Sequence, residues 1–376
     1  MKFERGLEQV AHDARSVVTV GTFDGVHRGH QAVLQFLMAR ARERNGVSTV
    51  LSFDPHPREV LRAEPVSLLT TIEERATLLE ALGIERFIVL SFTPELAAMP
   101  ARQFIEEILV RRIGLQAICV GYDHTFGRNR EGNVALLQQL GPQYGFAVDV
   151  IPPQVVGDRT VSSTLIRTIL LRDGDVRQAA DLLGRPYMLQ ATVVRGDGRG
   201  RVLGFPTANL HPNHPRKLVP RNGVYAVRVW LPGEAEPRGG MMNIGMRPTF
   251  AGDRRTLEVH VLDFEGDLYG QLLRVDFIER LRDEQRFPSV EALREQLFRD
   301  RQRCMEVLQA RYEACFLTRG FTRSCGSASL AWYQSKEGTT AHDQQGTQAR
   351  TDSQVRHPRK RHGPAGSPDC HLHAPH

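Results

Sequence analysis

The sequence predicts a doubly wound parallel α/β sheet followed by an antiparallel β-barrel with a terminal helix, and three observations predict it. From Ser16 to about Ile151, short apolar runs rich in β-branched residues alternate with helical patterns. After Gly184-Arg185-Pro186 the pattern changes to strands with polar alternation, separated by Gly, Pro and Asn turns. From Ser289 to Tyr312, Val290, Leu293, Leu297, Cys304, Met305 and Leu308 recur at helical spacing. A chain of 376 residues also exceeds what one hydrophobic core usually organises. The expected units are residues 1–184, residues 185–313 and a tail, residues 314–376.

In the first unit SVVTVG, STVLSF, RFIVLSF, AICVG and AVDVI read as strands. Their apolar runs lack polar alternation, which suits strands buried on both faces of a sheet. The crossovers are His30 to Asn45, then TIEERATLLEAL, ARQFIEEILVRRI and NVALLQQLGPQY. Thr71 to Glu74 fits a capping box and Gly83 a helix C-terminus. A helix from Ser162 to Leu171 and a shorter one through Leu183 close this unit. In the second unit MLQATVVRG, GVYAVRVWL, GGMMNIG, TLEVHVLDF and LLRVDFIERL supply the barrel strands, and the helix from Ser289 lies against them. Alternation along TLEVHVL puts Leu257, Val259 and Val261 on the apolar face, so Glu258 and His260 stand together on the other. Residues 314–376 contain no isoleucine, no methionine and a single valine, Val355, a composition that cannot support a core. The tail is expected to be disordered, and its change of character is that of a shifted reading frame or an unrelated extension.

The net charge of +6 suggests a polyanion partner until it is localised. Residues 314–376 carry eight Lys/Arg against four Asp/Glu, leaving about +2 for the rest. A nearly neutral folded part argues for small-molecule partners and against nucleic acid. The five cysteines form no CxxC pair, against a disulfide framework or zinc site. The N-terminal MKFERGLEQVAHDARS lacks the apolar core of a leader, and no run approaches the roughly 18 apolar residues of a membrane span. The expectation is a soluble, cytoplasmic protein with no membrane partner. Lysine occurs only at Lys2, Lys217, Lys336 and Lys360, so neither a P-loop GK[ST] nor chemistry on a buried lysine has a candidate.

The segment GTFDGVHRGHQ, Gly21 to Gln31, follows the first strand and opens the first helix. A helix N-terminus presents free N–H groups and a positive dipole end, and Gly21, Gly25 and Gly29 let a phosphate approach the backbone. His27 and His30 bracket the same turn, where two imidazoles can hold a triphosphate and stabilise charge growing on an attacked phosphorus. The segment resembles the HxGH motif of the nucleotidyltransferase superfamily. Its fuller form is similar to that of the bacterial bifunctional riboflavin kinase/FAD synthetase family. FDPHPRE (Phe53 to Glu59), GYDHTFGRNREGN (Gly121 to Asn133) and VSSTLIR (Val161 to Arg167) match the same family in order, all at strand ends or helix starts, where doubly wound sheets bind ligands.

The resemblance implies that His27 and His30 are catalytic. It implies that Gly21, Phe23, Asp24, Gly25 and Gly29 surround the ATP, with Ser163, Thr164 and Arg167 as a second phosphate-binding element. His56, Pro57, Asp123, Phe126 and Arg130 become flavin contacts, although His124 follows Asp123 where the family commonly places an aromatic residue. For Asp123 and Arg130 a salt-bridged loop and a direct ligand contact are both open.

The stretch GDGRGRVLGFPTANL, Gly196 to Leu210, has Arg201 where a dinucleotide fingerprint needs its third glycine, and no helix is predicted after it. It resembles instead the PTAN motif of riboflavin kinases, and NGVYAVRV, NIGMRPTF, TLEVHVLDFEGDLYG and LRDEQRF follow in the family's order. Thr207 and Asn209 share a face if extended, and such oxygen ligands suit a Mg²⁺ that also binds nucleotide phosphates. The resemblance implies that Gly198 and Gly204 belong to the nucleotide loop, and makes Glu258 the candidate general base for a primary alcohol attacking a γ-phosphate. The resemblance covers about residues 15 to 312. It implies ATP-dependent phosphorylation of riboflavin to FMN, then adenylylation of FMN to FAD. The alternatives are a single-activity nucleotidyltransferase with a degenerate second domain and a non-catalytic flavin carrier.

Overall fold

The computed structural model describes residues 1–151, 161–196, 200, 203–249 and 252–318. Six parallel strands form the first sheet: β1 Lys2–Arg5, β2 Ser16–Val20, β3 Val47–Asp54, β4 Arg86–Ser91, β5 Leu115–Gly121 and β6 Ala147–Ile151. Their spatial order is β1-β4-β3-β2-β5-β6, so the winding reverses between β2 and β5. Alternate side chains feed two cores. Val18, Leu51, Ile88 and Ile118 pack on one face, whereas Val17, Val50, Phe87 and Ala117 pack on the other. Burial on both faces explains why the strands read as unbroken apolar runs. The edge strand β1 was not legible, because KFER is short and charged; Glu4 turns inward and pairs with Arg86 at 2.5 Å.

The helices of this half are α1 Arg28–Glu43, α2 Pro57–Arg62, α3 Ile72–Leu82, α4 Pro94–Ala98, α5 Ala101–Gln103 and α6 Val134–Tyr144. A wider, π-wound stretch, Phe104–Ile113, continues α5. The capping box of α3 is present, with Thr71 and Glu74 bonded reciprocally at 3.2 and 3.0 Å, and Gly83 ends the helix at φ 92°. Then follow α7 Ser163–Thr168, a π-wound continuation over Ile169–Asp173, and α8 Val176–Leu183. The apolar side chains of this last group, Ile166, Leu170, Val176 and Leu183 among them, belong to the same buried cluster as Leu189, Tyr225 and Phe277 of the second half.

That second half is a closed antiparallel barrel of β7 Tyr187–Val194, β8 Ala208–Pro212, β9 Gly223–Trp230, β10 Arg238–Thr249, β11 Gly252–Val261 and β12 Leu272–Arg282, in the order β10-β11-β8-β7-β12-β9. Sequence patterning missed β8, whose ANLHP holds too little alternation and a proline. The terminal helix, Val290–Thr318, packs on the barrel through Cys304 and Val307. Met305 and Val290, expected on that stripe, are about half exposed at 49% and 59%. Met305 lies a 100° step from Cys304, and Val290 sits in the first turn of the helix. The helix also runs past Tyr312 into the segment assigned to the tail, where residues 313–318 hold neither Gly nor Pro. Residues 319–376 lie outside the described residues.

The two halves are joined by backbone. Leu68 bridges to Lys217, with Leu68 N–H on the Arg216 carbonyl at 2.7 Å and Leu218 N–H on the Leu68 carbonyl at 2.8 Å. Lys217 corrects the expectation that no lysine is buried: its ammonium donates to Glu74 at 2.6 Å and to the Leu69 carbonyl at 2.7 Å, beneath the Tyr187 ring. Burial pulls its pKa down, and Glu74 partly offsets this.

Candidate active sites

The first site is built on the loop between β2 and α1, at the carboxyl edge of the sheet beside the reversal in strand order, where open α/β sheets hold ligands. The loop is tightly wound. Phe23, Gly25 and Val26 have φ of 47°, 87° and 41°, and all three are buried. Two L-residues in the left-handed region cost free energy that the surroundings must offset. Asp24 supplies much of that. Its carboxylate is fully buried, accepts from Leu69 N–H and Thr70 N–H at 3.0 and 2.8 Å, and meets Arg167 at 2.6 Å and Arg75 at 3.6 Å. Burial alone would raise its pKa, but the two guanidiniums and the two amides outweigh this and hold it below the usual carboxylate range. Gly25 N–H bonds Thr70 Oγ1, Arg185 donates to the Gly25 carbonyl at 2.8 Å, and Gln31 to the Val26 carbonyl at 2.9 Å.

On this frame His27 is the N-cap of α1, its Nδ1 accepting from His30 N–H at 3.3 Å. The two rings stack with centroids 3.6 Å apart. A Cβ at Gly29 would come within 3.3 Å of the His27 ring, so glycine keeps this stack and the helix start open. Burial pushes the His27 pKa down to about 4 and that of His30 well below its ordinary value. Both imidazoles are therefore neutral at pH 7, and each can donate or accept one hydrogen bond per nitrogen.

The other expected residues surround this loop. His56 caps α2 at the carboxyl end of β3, with Pro57 in the first turn; burial lowers its pKa to about 4. Asp123 lies just beyond β5, so the His56 and Asp123 loops flank the His27 loop on either side. Arg130 donates to Thr125 Oγ1 at 2.9 Å instead of pairing with Asp123, and Phe126 lies 5.8 Å from the His124 ring, which occupies the aromatic position. Ser163 Oγ donates to the Asp24 carbonyl at 2.8 Å and Thr164 is exposed in the same turn. Sequence reasoning placed Asp24 and Arg167 on the nucleotide. The structure turns the Asp24 carboxylate inward and pairs it with Arg167, while Arg75, Arg185 and Lys217 were missed altogether. Their sequence separations from the loop left no local signal.

The second site lies where β8 closes the barrel. Asn209 stands opposite Glu258 in the β8–β11 register, and Thr207 Oγ1 donates to Glu258 Oε2 at 3.3 Å. Leu257, Val259 and Val261 are buried as the alternation requires. His260 Nδ1 lies 2.8 Å from the Pro206 carbonyl and holds the segment before Thr207. A cleft of ≈ 460 Å³ opens beside Thr207, walled by Val193, Ala208, Val259, Phe264 and Tyr269. Gly204 sits in the turn before this segment with φ 79°, and Gly198 lies outside the described residues.

A helix N-terminus carrying two neutral imidazoles, and a carboxylate hydrogen-bonded to a hydroxyl of the cleft wall, fit an enzyme that transfers phosphorus-containing groups at two separate sites. Comparison with known proteins gives the particular kind. The FAD synthetase family model matches residues 9–165 and the riboflavin kinase model residues 183–308. The chain is 40% identical over 303 residues to the bifunctional riboflavin kinase/FMN adenylyltransferase of Escherichia coli K12, covering 80% of this chain and 96% of that one. It is 42% identical to that of Pseudomonas fluorescens, covering 78% and 94%, and 36% identical to that of Bacillus subtilis, covering 77% and 91%. A solved Streptococcus pneumoniae chain described as a macrolide-efflux protein superposes with TM-score 0.72 at 31% identity, covering 80% of this chain and 98% of that one. The chain belongs to the bifunctional riboflavin kinase/FMN adenylyltransferase family, and carries both domains of two-step FAD biosynthesis. Among the described residues no helix is long and apolar enough to cross a membrane.

Proposed function

We propose that the barrel transfers the γ-phosphate of ATP to the ribityl hydroxyl of riboflavin with Glu258 as base. The sheet half then lets the FMN phosphate attack the α-phosphorus of a second ATP, releasing pyrophosphate. The observation that carries this reading is the hydrogen bond between Thr207 and Glu258. It fixes a carboxylate against Thr207, itself a residue of the cleft wall, where it can take the proton that the attacking hydroxyl must lose. In the second step the nucleophile is already an anion, so charge stabilisation at the start of α1, from His27 and His30, outweighs the need for a base.

The donors at Thr207 and Asn209, a hydroxyl and an amide oxygen next to the Glu258 carboxylate, are hard oxygens that fit Mg²⁺, with substrate phosphates completing its coordination. Bound there, Mg²⁺ would neutralise phosphate charge. Ser163, Thr164 and Arg167 supply the second phosphate element, with Arg167 also pairing with Asp24 through Nη2. His56, Pro57, Asp123, Phe126 and Arg130 supply the flavin side of the sheet site, and Gly198 and Gly204 the nucleotide loop of the barrel. The functional units are residues 1–184 and 185–313, working on small molecules in the cytoplasm, where ATP is made. Incubation with riboflavin and Mg-ATP, with FMN and FAD separated over time, tests the whole sequence. FMN should rise first and FAD follow. FAD from added FMN without FMN from riboflavin would favour the single-activity alternative, and binding without turnover a flavin carrier.

A further inference from the structure

We infer that Lys217, a residue of the barrel half that belongs to neither candidate site, is a positioning residue for the adenylylation site. The inference rests on the reading that the His27 loop holds the ATP of that reaction. The connection is a short chain of hydrogen bonds. Lys217 Nζ donates to the Leu69 carbonyl at 2.7 Å and to Glu74 Oε2 at 2.6 Å. Leu69 N–H and Thr70 N–H in turn donate to the two oxygens of Asp24, and Thr70 Oγ1 accepts from Gly25 N–H at 2.9 Å. Residues 69–71 are thus clamped between the barrel's ammonium on one side and the phosphate loop on the other.

The clamp has a second barrel contact. Glu74 Oε1 accepts from Gln190 N–H of β7 at 3.2 Å, while its Oε2 also accepts from Thr71 N–H. One carboxylate therefore caps α3 and receives two donors from the barrel. The loop being held is the one with Phe23 and Val26 in the left-handed region, which relaxes unless it is restrained from outside. His27 follows Val26 directly, so slack at Leu69 and Thr70 reaches the His27–His30 stack through Asp24 and Gly25. The contacts of Lys217, with Leu69, Glu74 and the Tyr187 ring, include none of the kinase-site residues Thr207, Asn209 and Glu258. Its loss should therefore separate the two activities, although the residue itself lies on the kinase side of the chain.

The test uses the full chain with Lys217→Met and the double variant Lys217→Met/Glu74→Gln, which removes the buried negative charge that the first change leaves without its ammonium. FMN formation from riboflavin should stay within about twofold of the parent in both, while KM for ATP in FAD formation rises about fivefold or more, the low end of coupling between sites. The double variant should regain thermal stability lost by the single one without regaining that KM. Recovery of the parental KM together with stability would make Lys217 a structural residue only and overturn the inference. Loss of both activities together, in either variant, would overturn it as well. His30→Ala run in parallel separates the two claims. Parental FAD formation in His30→Ala removes the loop assignment and the inference with it. Loss in His30→Ala with parental behaviour of the Lys217 variants overturns the inference alone.

Discussion

The hydroxyl of Thr207 donates to the carboxylate of Glu258 across the strand pair that closes the barrel, 3.3 Å away and 51 residues on in sequence. Replacing Glu258 by Gln keeps size and hydrogen bonding but removes the proton acceptor. FMN formation should fall roughly 100- to 10,000-fold, with folding intact because the change is nearly isosteric. FAD formation from added FMN should persist at the parental rate. Both rates come from product separation, and near-parental FMN formation would remove Glu258 from the role of base.

His30→Ala should abolish FAD formation, by roughly 100- to 1,000-fold for a lost stabilising donor, and leave FMN formation intact. The variant then accumulates FMN from riboflavin and ATP. FAD at the parental rate would put adenylylation elsewhere.

Asp24→Ala leaves Arg75 and Arg167 facing an empty site and two backbone amides unpaired. Breaking a buried ion pair on one side typically costs about 3–5 kcal/mol, so the denaturant midpoint should drop well below that of Glu258→Gln. An unchanged midpoint would contradict the buried carboxylate seen here.

The buried histidines set an acid sensitivity. His27 binds its proton near pH 6.5 when unfolded but near 4 when folded. Between these values the unfolded chain holds the extra proton, so stability falls as pH drops through that window. The loss from His27 alone is of order 3 kcal/mol. His56 acts in the same direction over the same range. Thermal midpoints at pH 7 and pH 4.5 for the parent and for His27→Asn, which retains a capping side chain but does not titrate, should show a smaller drop in the variant.

Ending the chain at Thr318 should leave FMN and FAD formation and the thermal midpoint nearly unchanged, since the composition beyond it cannot build a core. A large loss in any of the three would assign the tail a role.

Both candidate sites were legible where chemistry-bearing side chains are concentrated in a short segment. His27 and His30 sit three residues apart at a helix start, and the alternation of Leu257, Val259 and Val261 fixed which way Glu258 points. What escaped was whatever depends on distant partners. Arg167 is 143 residues from Asp24, and Lys217 is 143 from Glu74, so a carboxylate within a nucleotide motif and a lone lysine gave no sign of being buried ion pairs. Strand β8 escaped for a related reason: with five residues and a proline, it is a strand only because β7 and β11 lie on either side of it.

That position of β8 makes ring closure and assembly of the proposed kinase site one event. Asn209 stands opposite Glu258 only when β8 is seated between β7 and β11, so a chain with the barrel still open lacks that pairing. Any molecule that binds across Asn209 and Glu258 recognises the closed ring alone, and by mass action raises its population by a factor of 1 + [L]/Kd. On the proposed reading of this site, substrate supply would also stabilise the newly made enzyme, favouring closed rings when riboflavin and ATP are present.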